Sequence, residues 1–361
     1  MNHPALGITN RISERNIVHC SDVEMRNFIE QRIEIGQLFG KISPLIKEAE
    51  SALQQITNFN NTAFFKSEMS TFHFLSEYYK AKDTNKKILY FGFPQKFSQP
   101  NFSYIYQLRG AKSFLTERSD EVAALILDPL FVIQKCIDFE QRIHSLRTLC
   151  SGSGIPFILD ERKTIARLHQ KGLNFIFQFQ ADAVLLGENI SNGIPLGALA
   201  HSPDFFDEAF LPGTFAPKAE GLIACKKIAD EITFSKSSFY LHWNNQGNEL
   251  RTSINKKLKK DFPQGLLNNF GSILWLNNFG CNRPLKKLQR LNILKGTARC
   301  IYLPSHLREE EIKEFENKII GGLSKRKNLL HKNEAGKKNN QKTIFINYPK
   351  QQLNRHHLLY L

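Results

Sequence analysis

Apolar residues along the chain form short uninterrupted runs, separated by segments with helical spacing. The clearest run, Val122–Leu127, ends in Asp128-Pro129, which is typical of a strand buried on both faces of a parallel sheet. The other predicted strands of this region are Ile88–Phe91, Ile155–Leu159, Ala183–Leu186 and Leu196–Leu199. The predicted helices are Arg26–Leu53, with a turn at Gly36 and Gly40, then Thr71–Ala81, Phe139–Cys150 and Phe215–Ile232. This alternation predicts an α/β fold with a mainly parallel sheet covered on both faces.

Acidic residues follow three of the predicted strands. Asp128 follows Val122–Leu127, Asp160 follows Ile155–Leu159, and Glu188 comes two residues after Ala183–Leu186. Ligands of open α/β sheets bind beyond the carboxyl ends of the strands. We therefore expect the candidate site at that edge.

The C-terminal part of the chain has a different pattern. Residues 233–266 are polar, and we expect them to be irregular. Ser272–Leu276, Arg299–Leu303 and the charged helix Leu307–Ile320 predict a smaller α/β domain. The predicted organisation is an N-terminal helical segment (1–54), a large α/β domain (55–232), a small C-terminal α/β domain (233–322) and a basic tail (323–361).

Several spaced motifs of the central region resemble the class III aminotransferases, which use pyridoxal phosphate, and within them the glutamate-1-semialdehyde aminomutases. The family has a strand that ends in Asp-Glu, with Thr three and Arg six residues after the Glu. In this chain these residues are Asp160, Glu161, Thr164 and Arg167. The family's Leu-Gly-Lys segment corresponds to Leu186-Gly187-Glu188, and its Gly-Gly-Leu-Pro-Val-Gly-Ala segment corresponds to Asn192–Ala198. Its Gly-Thr pair corresponds to Gly213-Thr214. The likeness covers roughly residues 23–322. It implies the pyridoxal-phosphate-dependent aminotransferase fold.

The resemblance also assigns roles to individual positions. Glu188 stands where the family has the lysine that forms a Schiff base with the cofactor, and a carboxylate cannot form an imine. Asp160 would face the pyridinium nitrogen, or it caps the turn that follows its strand. Ser67 and Thr214 would be remnants of phosphate contacts, although Glu68 adds a negative charge beside them.

No other residue is an evident substitute for the lysine. No Lys occurs between Lys171 and Lys218, and we expect Lys163 to point towards solvent. The aromatic or His pair that stacks on the cofactor ring in the family is not recognisable in Gly92–Phe97. We expect that no cofactor is bound, with pyridoxal 5'-phosphate or pyridoxamine 5'-phosphate as the alternatives.

Composition limits the classes of protein that fit the chain. The six cysteines form no CxxC pair, so no metal site is predicted, and no apolar run reaches the roughly 18 residues of a membrane-spanning helix. These features predict a cytoplasmic protein. The net charge is +15, and residues 323–361 carry nine Lys or Arg against Glu334 alone. This tail is either a solvated segment or a contact for an acidic protein partner, and nucleic acid is the less favoured partner.

Two functions fit these observations. The first is an aminotransferase-like pseudoenzyme, a non-catalytic subunit or scaffold. It would form a homodimer, or a heterodimer with a catalytic aminotransferase homologue, or bind an acidic carrier protein. The alternative is an atypical aminomutase-like enzyme of a biosynthetic pathway that binds pyridoxal or pyridoxamine phosphate and uses Glu188 and Asp160 without a lysine.

Overall fold

The structure is a computed structural model of the 361-residue chain. It describes residues 25, 27–29, 42–92, 101–206, 215–234, 237–277, 283–291, 293–294, 300–305 and 307–324, and only the backbone of residues 42, 43, 237 and 283. The described residues divide into two compact units, one ending at Ser237 and the other beginning at Ser238. The sequence predicts a boundary between residues 232 and 233, five residues earlier.

The larger unit is built on a seven-stranded sheet in the order β1-β7-β6-β5-β4-β2-β3. Within this sheet the strands β3, β2, β4, β5 and β6 are all parallel to their neighbours. Strand β7 pairs antiparallel with both β6 and β1. The strands are β1 Asn61–Phe65, β2 Lys87–Phe91, β3 Phe102–Ile105, β4 Val122–Leu127, β5 Phe157–Asp160, β6 Ala183–Leu186 and β7 Gly197–His201. The α/β class with a mainly parallel sheet is therefore confirmed.

Helices connect these strands and cover the sheet. They are α1 Ile42–Thr57, α2 Glu68–Lys82, α3 Leu108–Glu117, α4 Pro129–Lys135, α5 Phe139–Gly152, α6 Gly172–Ile176 and α7 Ala219–Phe234. The core under α2 is unusually aromatic, because Phe65, Phe72, Phe74 and Tyr90 are all buried in one cluster. Burial on both faces explains why the central strands are continuous apolar runs.

The smaller unit contains the strands β8 Leu267–Phe270, β9 Ile273–Leu276 and β10 Cys300–Tyr302, which form an antiparallel sheet. Its helices are α8 Ser237–Lys257, α9 Arg283–Arg290 and α10 Glu309–Ser324. The prediction that residues 233–266 are irregular is wrong. Buried Tyr240, Trp243, Leu250 and Ile254 hold α8 against the unit, although its exposed positions are almost uniformly polar.

Within the described residues, no helix is long and apolar enough to cross a membrane. The same part of the chain places no group of three His, Cys, Asp or Glu side chains where they could hold a metal ion.

Candidate functional site

The acidic residues singled out in the sequence lie at the carboxyl edge of the large sheet. Asp128 directly follows β4, Asp160 is the last residue of β5, and Glu188 begins a 3₁₀ turn after β6. Asp128 and Asp160 are both 1% exposed, whereas Glu188 is half-buried. Because β4, β5 and β6 are neighbours in the sheet, their ends form one site.

The carboxylate of Asp160 is bound entirely by groups of the chain itself. Its Oδ1 accepts from Nε of Arg162 at 2.7 Å and from the backbone N–H of Arg162 at 3.3 Å. Its Oδ2 accepts from Nη2 of Arg162 at 2.6 Å and from the hydroxyl of Tyr90 at 2.8 Å. A carboxylate has about four lone-pair positions, so these four donors use its full acceptor capacity.

Arg162 is the centre of this network and is 6% exposed. Its third nitrogen, Nη1, donates to Oε2 of Glu68 at 2.9 Å, and its guanidinium lies 4.5 Å from the ring centroid of Phe72. Burial opposes the charge on Asp160, but the attraction and hydrogen bonds of Arg162 outweigh burial and lower the pKa of Asp160. Burial likewise opposes the charge on Arg162, yet Asp160 and Glu68 raise the pKa of Arg162 well above its usual value.

Glu68 links the network to the start of α2 and to the end of β6. Its Oε1 accepts from the backbone N–H of Glu188 at 3.2 Å. A Cβ added to Gly187 would overlap the Glu68 carboxylate, so only glycine allows this approach. Ser67 is the N-cap of α2, where its hydroxyl oxygen accepts from the backbone N–H of Ser70 at 3.3 Å. Glu68 therefore joins the N-terminus of α2 to the ends of β5 and β6.

Lys163 does not point to solvent, which corrects the expectation from the sequence. Its Nζ lies 2.9 Å from Oδ2 of Asp128, and its side chain is 16% exposed. Burial raises the pKa of Asp128, and the Lys163 ammonium offsets part of that effect. The ammonium also lowers the pKa of Asp160 electrostatically. The Lys163 amine is therefore held in an ion pair with Asp128.

Glu161 and Thr164 of the Asp-Glu-Thr-Arg motif form a structural cluster next to the site. The buried carboxylate of Glu161 accepts from the backbone N–H groups of Leu173 at 2.8 Å and Asn174 at 2.6 Å, and from the hydroxyl of Thr164 at 2.9 Å. Burial raises the pKa of Glu161 to about 7, although these hydrogen bonds act in the opposite direction. Arg167 is completely buried. Glu161 therefore fixes the loop after β5 to the start of α6.

Two of the site predictions from the sequence lie outside the described residues, as do the predicted turn at Gly36 and Gly40 and residues 325–361 of the basic tail. Thr214, assigned to a phosphate contact, is one, and residues 93–97 of the expected ring-stacking segment are the other. Among the described site residues, the structure joins Asp160 to Glu68 through Arg162, and Glu188 to Glu68 through its backbone N–H.

Arg162 and Tyr90 belong to the site but were not predicted from the sequence. A signal was available for Arg162, because a basic pair, Arg162-Lys163, directly follows the strand-terminal Asp160-Glu161. Two cations so close to buried carboxylates predict ion pairs rather than solvent exposure. Tyr90 gives no comparable signal, because an aromatic residue in an apolar strand is predicted to be part of the hydrophobic core.

Comparison with known proteins identifies relatives over parts of the chain. No family model matches. The chain is 34% identical over 94 residues to a glutamate-1-semialdehyde 2,1-aminomutase of Flavobacterium johnsoniae. The matched residues make up 26% of this chain and 22% of the relative. It is 26% identical over 203 residues to the enzyme of that name from Clostridium botulinum, 52% of this chain and 44% of the relative. The matches span less than half the length of these curated relatives.

Solved structures resemble the chain over a larger part of its length. An omega-transaminase from Sphaerobacter thermophilus has a TM-score of 0.71 at 15% identity, covering 84% of this chain and 83% of the other. A transaminase with PLP bound has a TM-score of 0.67 at 19% identity, covering 84% and 82%. The similarity predicted from the motifs is thus confirmed. Over parts of its length the chain is similar in sequence to glutamate-1-semialdehyde 2,1-aminomutases, and it has the fold of the pyridoxal-phosphate-dependent aminotransferases.

Proposed function

We propose that this protein is a non-catalytic member of the aminotransferase fold, which acts as a subunit or scaffold rather than as a transaminase. The observation that carries the proposal is the ion pair between Arg162 and Asp160. Three parts of the site would have to bind or react with pyridoxal phosphate: the carboxylate that faces the ring nitrogen, the contacts to the phosphate, and the amine that forms the Schiff base.

The first part of the site does not fit the cofactor. By the resemblance, Asp160 would bind the protonated ring nitrogen of pyridoxal phosphate. Arg162 and Tyr90 already use its acceptor positions, and the Arg162 guanidinium lies against the face of Phe72. A cofactor ring would have to displace a buried cation that two carboxylates bind. Such a displacement leaves uncompensated buried charge, which costs several kcal/mol.

The phosphate end of the site is also unfavourable. The N-terminus of α2 could attract an anion, but Glu68 places its own carboxylate in the first turn of this helix. A phosphate group carries about −1.5 to −2 charges at neutral pH and would be repelled by Glu68. The interaction of Glu68 with Arg162 and with the backbone of Glu188 holds that carboxylate in place.

The reactive amine is the third part. By the resemblance, Glu188 replaces the Schiff-base lysine, and the amine of Lys163 is bound to Asp128. Imine formation would require Lys163 to leave this ion pair, and Asp128, at 1% exposure, would then lose its cationic partner. These residues therefore disfavour Schiff-base chemistry as the function of the fold.

We further propose that the protein forms a homodimer, or a heterodimer with a catalytic aminotransferase homologue. In such a complex the inactive subunit would contribute its surface, not its site.

A cofactor titration tests the proposal. The full-length protein, and separately its Glu188→Lys variant, are incubated with pyridoxal phosphate and with pyridoxamine phosphate. Absorbance of bound cofactor and the melting temperature are then measured. We expect no bound cofactor and an unchanged melting temperature for both proteins, because Arg162 still occupies Asp160 in the variant. A cofactor band or a rise in melting temperature for the unaltered protein would instead support the lysine-independent enzyme.

A further inference from the structure

The end of α8 carries a dense group of lysines. Lys256, Lys257, Lys259 and Lys260 are exposed, whereas Leu258 between them is buried in the core of the smaller unit. Lys257 pairs with a glutamate of α10, but the other three lysines form no ion pair with any residue that the structure describes. The dipole of α8 favours cations in its last turn, and two of these lysines come after that turn. We call Lys256, Lys259 and Lys260 the basic group.

The outer side of α10 carries the opposite charge. Glu310 and Glu314 are both exposed, and they are four positions apart on the helix. Their carboxylates are therefore neighbours and repel each other. Two other glutamates of α10 pair with cations of the same helix segment, but within the described part of the chain Glu310 and Glu314 form no ion pair. We call Glu310 and Glu314 the acidic pair.

The basic group and the acidic pair lie next to each other. Nζ of Lys257 lies 3.1 Å from Oε1 of Glu316, and this ion pair joins the end of α8 to α10. Glu314 comes two residues before Glu316, about 3 Å along the helix axis. Beneath them, Leu258 and Phe315 are buried in one apolar cluster. The surface of the smaller unit therefore carries unmatched charges of both signs side by side.

A partner for this surface must itself carry both charges. A nucleic acid or an anionic membrane would be attracted by the basic group and repelled by the acidic pair next to it. A second copy of this chain supplies the matching pattern, because a two-fold axis brings one surface against itself and exchanges the contacts. The spacing matches as well. Lys256 and Lys260 are four positions apart, as are the two glutamates of the acidic pair.

We propose that the basic group and the acidic pair form a self-complementary interface through which two copies of this chain associate. The acidic pair of each copy faces the basic group of the other, so every contact occurs twice. Exposed ion pairs are individually weak, and Leu241 is the only large apolar side chain clearly exposed among the described residues of the smaller unit. The association is therefore weak and sensitive to salt. The inference rests on the proposed homodimer, for which it names a surface, and it is independent of cofactor binding.

Sedimentation velocity of the full-length protein tests the inference, at about 0.1 M and about 0.5 M salt. At the lower concentration the Debye length is about 10 Å, so charges that meet across the interface outweigh repulsion between distant parts of two basic chains. We expect a concentration-dependent dimer at the lower salt concentration, with a dissociation constant at least about tenfold larger at the higher one.

Charge reversal of each group then tests the surface itself. The Lys256→Glu/Lys260→Glu variant should dimerise about tenfold more weakly or less, because acidic side chains now meet acidic side chains. The Glu310→Lys/Glu314→Lys variant should lose as much for the opposite reason. A mixture of the two variants should recover the association as a heterodimer, because opposite charges again meet in both halves of the interface. All four side chains are exposed, so neither variant changes the core.

The control is Lys47→Glu/Lys80→Glu, which makes the same change in net charge as the lysine variant at exposed positions of the larger unit. An equal loss in this control would overturn the inference, because net charge alone would then govern association. Failure of the mixed variants to associate would also overturn it. Loss of association after nuclease treatment would assign the basic group to a bridging nucleic acid instead.

The remaining outcomes separate this surface from the proposed homodimer. A dimer that survives both charge reversals would overturn the inference and leave the homodimer in place through another surface. A monomer at the lower salt concentration would overturn both. Neither outcome depends on the result of the cofactor titration.

Discussion

Replacing Arg162 by methionine should strongly destabilise the larger unit. The substitution keeps an unbranched side chain over Phe72 but removes the ion pairs with Asp160 at 2.6 Å and with Glu68 at 2.9 Å. Asp160, at 1% exposure, would then be left as an uncompensated buried charge. Breaking a buried ion pair in this way costs about 3–5 kcal/mol. For a unit of this size, that loss lowers the melting temperature by roughly 10 °C.

The assay is thermal and urea unfolding at neutral pH, with Arg142→Met as the matched control. Arg142 also pairs with an aspartate, Asp138, at 2.6 Å, but both side chains are substantially exposed. Its replacement should cost less than about 1 kcal/mol. The double variant Asp160→Asn/Arg162→Met should lose less stability than the two single changes together, since it removes both charges. An Arg162→Met variant as stable as the Arg142→Met variant would refute the reasoning.

Three further changes test neighbouring features. Ala166 is buried with a φ of 58°, so Ala166→Gly should stabilise the protein by about 1 kcal/mol in urea unfolding, and a loss of stability would show that its methyl packing matters more. Folding raises the pKa of Glu161 from 4.5 to about 7, so between these pH values the folded state holds a proton that the unfolded state has lost. The free energy of unfolding should therefore fall by up to about 3 kcal/mol as pH rises through this range. The Glu161→Gln variant should not show this dependence on pH. Gly187→Ala should cost about 1–3 kcal/mol through overlap with Glu68, and an equal cost in a Glu68→Ala background would contradict that placement.

The central strands could be predicted from the sequence because burial on both faces makes them continuous apolar runs. Val122–Leu127 and Ala183–Leu186 are observed with the predicted bounds. The edge strand Phe102–Ile105 was missed, because it is only four residues long and the polar Ser103 interrupts its apolar run. Helix α8 was missed for a related reason. Its buried apolar residues, Tyr240, Trp243, Leu250 and Ile254, recur at helical spacing, but Asn244 and Gly247 on the same face interrupt the apolar pattern.

The location of the site could also be predicted, but not its internal contacts. Strand ends gave Asp128, Asp160 and Glu188 directly. The partners of these carboxylates depend on side-chain direction after the strand, where Arg162 turns to Asp160 and Lys163 to Asp128. Glu68 joins them from 94 positions away in the sequence, a contact that no local pattern encodes.

A crystal structure grown with saturating pyridoxal phosphate tests the central claim most directly, because it shows what binds the Asp160 carboxylate. We predict Nε and Nη2 of Arg162 at that carboxylate, Nη1 at Glu68, and no cofactor density between Asp160 and the start of α2. Density for a pyridine ring whose nitrogen contacts Asp160, with the Arg162 side chain displaced, would contradict the account.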